Sequence, residues 1–507
     1  MTLADLVSSD AAGLRVVERL GNLEVAITGL TDDSRQVEPG CLFVAVKGER
    51  VDGHRFVPQA LAAGASALVT QQPWAEVGGP LSGTAPPVPM ARVADSRQAL
   101  GVLAGRFYHD PSSRLTMIGV TGTNGKTTIT YLCKAILESV GRNVGVIGTV
   151  AYQIGSEQLA ASHTTPGAVE LQSLLARMVQ TGLDSVVMEV SSHALALDRT
   201  SGCEFDVAIF TNLTQDHLDF HADMEDYFNA KLRLFSGLSP AGKKSGPKRA
   251  IVNVDDPRGH HVSGVSRVPV WTYSIDQASD LRAEDVRLSL AGTTFTAVTP
   301  AGRFPVESRL VGAHNVYNML AAIGAGLHEG LTTEQIARGI RQVANVPGRF
   351  ERVEAGQAFT VVVDYAHTED ALDRLLTAAQ TLKTGRIITV FGCGGNRDRG
   401  KRPKMGRVAA LQSDLVFLTS DNPRSEDPLA ILAEVEAGVR EVQKPAPFHY
   451  EVIADRRQAI EAALRAARRG DIVLIAGKGH EDYQIVGTGR LHFDDREVAQ
   501  EAIRNLC

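Results

Sequence analysis

The run LTMIGV at residues 115–120 leads directly into TGTNGKTT at 121–128, and this passage decides the fold. Six residues that are mostly apolar read as a buried strand. The residues after Lys126 carry a helical pattern about 14 residues long, so a Gly-rich turn joins a strand to a helix. At such a junction the backbone N–H groups of Gly122, Thr123, Asn124 and Gly125 and the helix N-terminus can hold phosphate oxygens. Lys126 adds a cation, Thr127 a hydroxyl suited to magnesium, and Thr128 completes the turn. The strict phosphate-loop pattern needs Gly at position 120, where this chain has Val120, so the passage is a variant of that loop.

Outward from this turn, apolar strands recur at 144–150, 185–190, 207–213 and 250–254 with helical segments between them, as in a parallel sheet covered on both faces. The stretch 281–311 alternates as strands do and reads as antiparallel hairpins on the sheet edge. Before it, residues 1–112 form a small α/β unit with strands at 41–46 and 66–70 and helices near 56–63 and 97–107. Its Gly/Pro-rich stretch 71–90 reads as an irregular loop and 109–114 as a linker. After it, strands at 360–365, 386–392, 414–420 and 471–477 alternate with helices, a second doubly wound domain. The expected architecture is α/β with three domains: a small N-terminal α/β domain (1–112), a central phosphate-loop parallel-sheet domain (113–345) and a C-terminal doubly wound domain (346–507).

At 507 residues the chain is long enough for about three domains. Hydrophobic residues at 44% and charged residues at 22% are ordinary for a globular protein. A net charge of -6 offers no general attraction to nucleic acid or anionic membrane, so anions must be held by local groups. The basic loop Lys243, Lys244, Lys248 and Arg249 reads as solvated surface. The run from Arg397 to Arg407 reads as a ligand loop, since it follows a strand and carries no interleaved aromatics. Five cysteines (Cys41, Cys133, Cys203, Cys393 and Cys507) are scattered, odd in number and never C-x-x-C, which suits a reducing cytoplasm. MTLADLVSSD has no basic and no apolar region of a signal peptide, and no apolar run reaches spanning length, so neither export nor membrane insertion is expected.

Glu189 ends the strand SVVMEV, at the carboxyl edge where α/β sites lie. His217 and His221 have the i, i+4 spacing of zinc ligands on a helix, but no third ligand is evident. On residues alone, Lys231 reads as an ordinary helix lysine.

The form GTNGKTT resembles the Mur ligases and folylpolyglutamate synthases, which join a carboxylate to an amine through an acyl phosphate. The order of motifs from Asp33 to Glu481 resembles the diaminopimelate-adding branch of the Mur ligases. That resemblance implies ATP at Gly122–Thr128, Asn315 and Arg349, and magnesium at Thr127, Glu189, His217 and a Lys231 carbamylated by carbon dioxide. Lys126, Lys231 and His217 become the candidate catalytic residues. It implies a UDP-muramoyl dipeptide held by Ser34 (in Asp33-Ser34-Arg35), Thr164, Thr165, Ser191 and Arg199, with His163 standing where family members often carry Asn. Asp364 and His367 fit either nucleotide contact or interdomain packing. Asp421, Asn422, Pro423 and Arg424, with Arg397, Gly477 and Glu481, are implied to read meso-diaminopimelate. Its distal carboxylate suits the two arginines and its ammonium suits Asp421. Lysine would leave a buried arginine unpaired. A lysine-adding ligase, a folylpolyglutamate synthase-like ligase and a non-catalytic nucleotide-binding module are the alternatives. The expected protein is a monomeric cytoplasmic enzyme of peptidoglycan synthesis, with no nucleic-acid partner.

Overall fold

The computed structural model describes residues 1–8, 14–48, 51–79, 83, 85–443 and 448–506. Cys507 and residues 80–82 and 84 of the Gly/Pro-rich stretch lie outside them. Three main sheets follow one another along the chain. The first has five strands in the order Val16–Leu20, Met90–Val93, Ala67–Thr70, Cys41–Val44, Gly29–Thr31, parallel except for the first pair.

The central sheet is built around Thr116–Thr121, the strand that feeds the Gly-rich turn. Val207–Phe210, Arg249–Asn253 and Val270–Ser274 extend it on one side, Ser185–Glu189 and Val144–Ile147 on the other, all parallel. The strand order reverses at Thr116–Thr121, which opens a crevice at the carboxyl ends of the strands. The three strands Leu281–Ser289, Gly292–Thr299 and Gly302–Ser308 extend one edge as antiparallel hairpins, as expected. A hairpin at the other edge, Tyr152–Ile154 with Glu157–Leu159, was not anticipated, because its outer strand is short and polar. Ile129, Leu132, Cys133 and Ile136 of the helix Lys126–Glu138 are buried in the core, together with Val316, Met319, Leu320 and Ile323 of the helix Ala313–His328. Each such side chain contributes about 1.5–3 kcal/mol by leaving water.

The C-terminal sheet runs Glu351–Arg352, Thr360–Asp364, Ile472–Ala476, Ile387–Phe391, Leu415–Leu418, His449–Val452, parallel except for the first pair. Side by side, the carboxyl ends at Asp364, Ala476, Phe391 and Leu418 launch the loops that carry His367, Gly477 with Glu481, Arg397 and Asp421–Arg424, while Arg349 precedes the first strand.

Three readings need correction. The stretch 71–90 contains a short helix, Trp74–Val77, whose two end residues are buried. Residues 109–114 are a fixed joint: a turn of 3-10 helix, Pro111–Arg114, with Pro111 and Ser112 buried, preceded by left-handed His109 and Asp110. The basic loop is solvated only in part: Lys243 is exposed, as expected, but the other three cations are engaged. Lys244 Nζ lies 2.5 Å from Asp206 and donates to Leu115 O, Lys248 is buried near Glu204, and Arg249 stacks on Trp271 at 3.8 Å. Acidic partners roughly 40 residues upstream supply what the local sequence could not show.

Candidate active site

Gly122 leaves the strand with φ +143°, and a Cβ there would stand 1.8 Å from Thr211 Oγ1, so only glycine fits. The turn is held by Thr123 N donating to Asn212 O (2.9 Å) and Asn124 N to Asn212 Oδ1 (3.0 Å). Lys126 folds back to donate to Gly122 O (3.0 Å) and Thr123 O (2.8 Å). Burial lowers its proton affinity, while Glu189 and Asp216 oppose the shift. Register pairs Glu189 with Val120 on the adjacent strand, which brings its carboxylate to the turn. It accepts from Thr127 Oγ1 (3.0 Å), Thr149 N (2.9 Å) and Thr149 Oγ1 (3.0 Å). Arg349, from the C-terminal domain, donates to Thr127 Oγ1 (3.1 Å) and lies 4.6 Å over the Tyr365 ring.

Lys231 is 2% exposed. Its Nζ donates to Gly122 O at 2.9 Å and sits 4.4 Å over the Tyr227 ring. The same carbonyl therefore receives both Lys126 and Lys231. Burial, reinforced by Lys126, pushes the Lys231 ammonium well below its ordinary value. His217 adopts a left-handed backbone (φ +56°) and is pushed down to about 3 by burial. Its ring packs edge-on against His193 at 4.7 Å. Zinc at His217 and His221 finds no support: His221 spends Nδ1 on Asp226 (3.1 Å) and Nε2 on Ser192 (3.0 Å). Among the described residues no three His, Cys, Asp or Glu side chains cluster to hold a metal ion.

These groups line a cavity of about 460 Å³ that spans the central and C-terminal domains. Asn315 points away from it, donating to Val311 O (2.8 Å) in its own helix start. Asn318, one turn later, lines the wall with His314 and Tyr317. Asp364 and His367 also line it, yet Asp364 serves backbone geometry, accepting from Phe350 N (2.6 Å) and Ala366 N (2.8 Å).

Thr164, Thr165, Ser191 and Arg199 cluster beside Glu189. Thr165 Oγ1 donates to Glu189 O (2.8 Å) and accepts from Ser191 N (3.0 Å), and Arg199 donates to Thr165 O (2.9 Å). Thr164 Oγ1 lies 3.1 Å from Thr149 Oγ1. Ser34 is buried in the N-terminal domain and donates to Gln59 (3.2 Å). His163 is exposed, its backbone held by the Tyr152 hydroxyl.

The loops after Leu418 and Ala476 meet. Asn422 Nδ2 donates to Glu481 Oε2 (2.9 Å), while its Oδ1 accepts from Lys478 Nζ (3.0 Å) and Ile485 N (2.9 Å). Arg424 sits left-handed (φ +53°), its Nη1 on Gly395 O at 2.9 Å, and Pro423 is buried beneath it. Arg397 is exposed nearby, and its charge adds to burial in lowering the proton affinity of Arg424. Lys478, fully buried, was missed. It stands 3.2 Å from Asp421 Oδ1, so the acceptor assigned to a substrate ammonium already faces a cation. Burial alone would raise the Asp421 carboxyl, but Lys478 and Arg456 outweigh it and hold it down. Glu481 is raised by burial and by Asp421. A lysine between two glycines gives no local sign that it will be buried.

The fold and this constellation define an α/β ligase architecture that carries a phosphate loop, and the chain belongs to the Mur ligase family. Three family profiles match in order: the Mur ligase family catalytic domain at 26–108, the Mur ligase middle domain at 120–326 and the Mur ligase glutamate ligase domain at 348–479. The chain is 45% identical over 99% of its length to a UDP-N-acetylmuramoyl-L-alanyl-D-glutamate--2,6-diaminopimelate ligase of Geobacter metallireducens, covering 98% of that protein. It is 49% identical over 95% of its length to the protein of the same name from Gloeobacter violaceus, covering 94% of it. A solved structure of a ligase with that name superposes with TM-score 0.70 at 33% identity, covering 100% of this chain and 99% of the other. Folylpolyglutamate synthase of Mycobacterium tuberculosis, complexed with ADP and AMPPCP, shares the fold at TM-score 0.61 and 18% identity, over 80% of this chain and 93% of that one.

Proposed function

We propose that this chain is an ATP-dependent ligase that adds meso-2,6-diaminopimelate to UDP-N-acetylmuramoyl-L-alanyl-D-glutamate in peptidoglycan precursor synthesis. It works as a cytoplasmic monomer. Residues 1–112 hold the UDP-sugar, 113–345 hold ATP and 346–507 hold the incoming amino acid. The observation that carries the reading is the meeting of Asp421–Arg424 with Gly477 and Glu481 at the carboxyl edge of one sheet, in a domain whose Arg349 reaches the phosphate loop.

The dipeptide's D-glutamate carboxylate attacks the γ-phosphorus of ATP. ADP leaves and an acyl phosphate forms; the neutral diaminopimelate amine then attacks the acyl carbon, the carbon–oxygen bond to phosphate breaks, inorganic phosphate leaves, and the nitrogen gives up a proton as the amide forms. Lys126 and the N–H groups at the start of its helix, Lys126–Thr128, hold the phosphates and stabilise the charge spread over them, while the N–H groups of Thr123 and Asn124 stay on Asn212 and fix the turn. Oxygen donors suit magnesium, and Thr127 with the buried Glu189 supplies them 3.0 Å apart. The neutral Lys231 amine adds to the carbon of carbon dioxide and loses a proton, giving an anionic carbamate beside His217. That supplies the oxygens a lysine lacks. Magnesium, when bound, would neutralise charge on the transferring phosphoryl group. Thr164, Thr165, Ser191, Arg199 and Ser34 orient the muramoyl dipeptide. Arg424 and Arg397 take the distal carboxylate of diaminopimelate, and Glu481, with Asp421 balanced by Lys478, takes its ammonium.

Phosphate release from ATP and magnesium, measured with the UDP-muramoyl dipeptide plus meso-diaminopimelate, L-lysine or no amino acid, tests the reading. Release is expected with diaminopimelate alone. Equal release with lysine refutes the role of Arg424, and release that ignores the dipeptide refutes the ligase.

A further inference from the structure

Arg456 is the first residue of the helix Arg456–Ala466, and its side chain is fully buried. Arginine is seldom buried completely, and a cation at a helix N-terminus opposes the helix dipole. Burying an ion pair is also costly, and an apolar pair would hold the helix on the sheet as well or better. What the guanidinium touches accounts for it. Asp495, the first residue of the helix Asp495–Leu506, takes Nε at 2.8 Å and Nη2 at 2.7 Å in a two-pronged pair with neither side chain exposed. The remaining donors reach two backbone carbonyls, Ala476 O at 3.0 Å and Ser420 O at 3.4 Å. Those residues immediately precede Gly477 and Asp421. Their strands, Ile472–Ala476 and Leu415–Leu418, are not neighbours, because Ile387–Phe391 lies between them. No ladder hydrogen bond therefore joins the two strands where these loops leave them; the loops pair only further out, where Arg424 N donates to Ile485 O (3.0 Å) and Gly487 N to Arg424 O (2.7 Å), and at their roots one planar guanidinium spans the gap.

We propose that Arg456, locked by Asp495, is a positioning residue of the amino-acid subsite, setting the distance between the loops that begin at Asp421 and Gly477. The inference rests on those loops taking diaminopimelate, as proposed above. Arg456→Lys keeps the charge but loses the fork, and Asp495→Asn keeps the shape but loses the charge that orients it. Arg386→Lys, at a second ion pair of the same domain (Arg386 Nη2 to Asp471 Oδ2, 2.7 Å), is the control for general stability.

Steady-state kinetics and melting temperature are measured on all three and on the parent. For Arg456→Lys and Asp495→Asn the expected result is a KM for diaminopimelate raised roughly tenfold or more, because small misplacement of binding groups is costly. The KM values for ATP and the UDP-dipeptide are expected to stay within about twofold. Arg386→Lys is expected to lower the melting temperature without moving the diaminopimelate KM. An unchanged diaminopimelate KM in a folded variant overturns the proposal, as does a parallel change in all three KM values. Should Arg456→Lys fail to fold, the isosteric Asp495→Asn carries the test. A parent enzyme that does not use diaminopimelate refutes the functional reading itself, whereas a parent that uses it and a variant that binds it normally refute the positioning role alone.

Discussion

Replacing Lys231 with Met separates a catalytic role from a structural one. Lys231 makes one hydrogen bond, to Gly122 O, and that carbonyl keeps its second donor, Lys126 Nζ at 3.0 Å, after the substitution. The loss is therefore about 1 kcal/mol for a hydrogen bond whose acceptor stays satisfied. Against it, methionine brings an apolar chain of similar length into a site 2% exposed, a gain of about 1–2 kcal/mol, and removes an amine that burial and Lys126 already disfavour as a cation. The two nearly cancel, so the unfolding midpoint of the central domain is expected to shift by only about 2–4 °C in either direction. Activity is expected to fall about a hundredfold or more if the carbamate on Lys231 holds a metal ion. In the parent enzyme, stripping carbon dioxide from the buffer should lower turnover and bicarbonate should restore it. Differential scanning calorimetry and phosphate release read the two arms. A variant that loses about 3 kcal/mol or more, or that keeps full turnover, refutes the reasoning.

Arg424→Lys keeps the charge but not the two-pronged geometry, and should raise the KM for diaminopimelate roughly ten- to a hundredfold in steady-state assays without admitting lysine as a good substrate. Gly348→Ala places a Cβ 2.1 Å from His480 N at φ +65°. Denaturant unfolding should show a loss of about 2 kcal/mol or more in the C-terminal domain, since backbone cannot yield there as a side-chain tip can. Arg402 grips Glu426 with two hydrogen bonds (2.9 and 3.0 Å) and holds its carboxyl down at about 2, against an ordinary 4.5. The stabilisation is therefore full above about pH 4.5 and lost as pH falls toward 2, so Glu426→Gln should flatten the acid limb of the stability profile. Asp370→Ala removes the contact between the C-terminal domain and Asn124 (2.7 Å), and small-angle scattering should then show a larger mean radius in the absence of ligands than for the parent.

The strands were legible because a parallel sheet covered on both faces demands apolar runs, and LTMIGV, SVVMEV and DIVLIAG have no other use for so many buried side chains. The phosphate loop was legible because it is local, its glycines, Lys126 and Thr127 lying within seven residues. What lay hidden depends on partners far along the chain. Asn318 and Asn315 share one helix, and only the packing shows which faces the cavity. Lys478 and Arg456 carry no local sign of burial; the structure supplies Asn422, Asp421 and Asp495 around them. Lys244 and Lys248 misled for the same reason: a cluster of lysines in sequence carries no trace of Asp206 and Glu204, which bury two of them.

The C-terminal domain touches the phosphate loop at two places, Asp370 on Asn124 and Arg349 on Thr127. Both loop residues come before or at the start of the helix Lys126–Glu138, so docking of this domain and order in the loop are coupled. Arg349 matters most in this respect. It joins the hydroxyl that also hydrogen-bonds Glu189 to the ring of Tyr365, which in turn packs at a tilt against His480 at 5.0 Å, next to Glu481. A continuous path of contacts thus runs from Thr127 and Glu189 at the phosphate loop to the loop proposed to take the amine. An acyl phosphate in water is lost to hydrolysis, so a ligase gains if its phosphate-handling groups are fully placed only when the amine-holding domain is docked. In this chain the C-terminal domain carries the arginine that reaches the phosphate loop of the central domain.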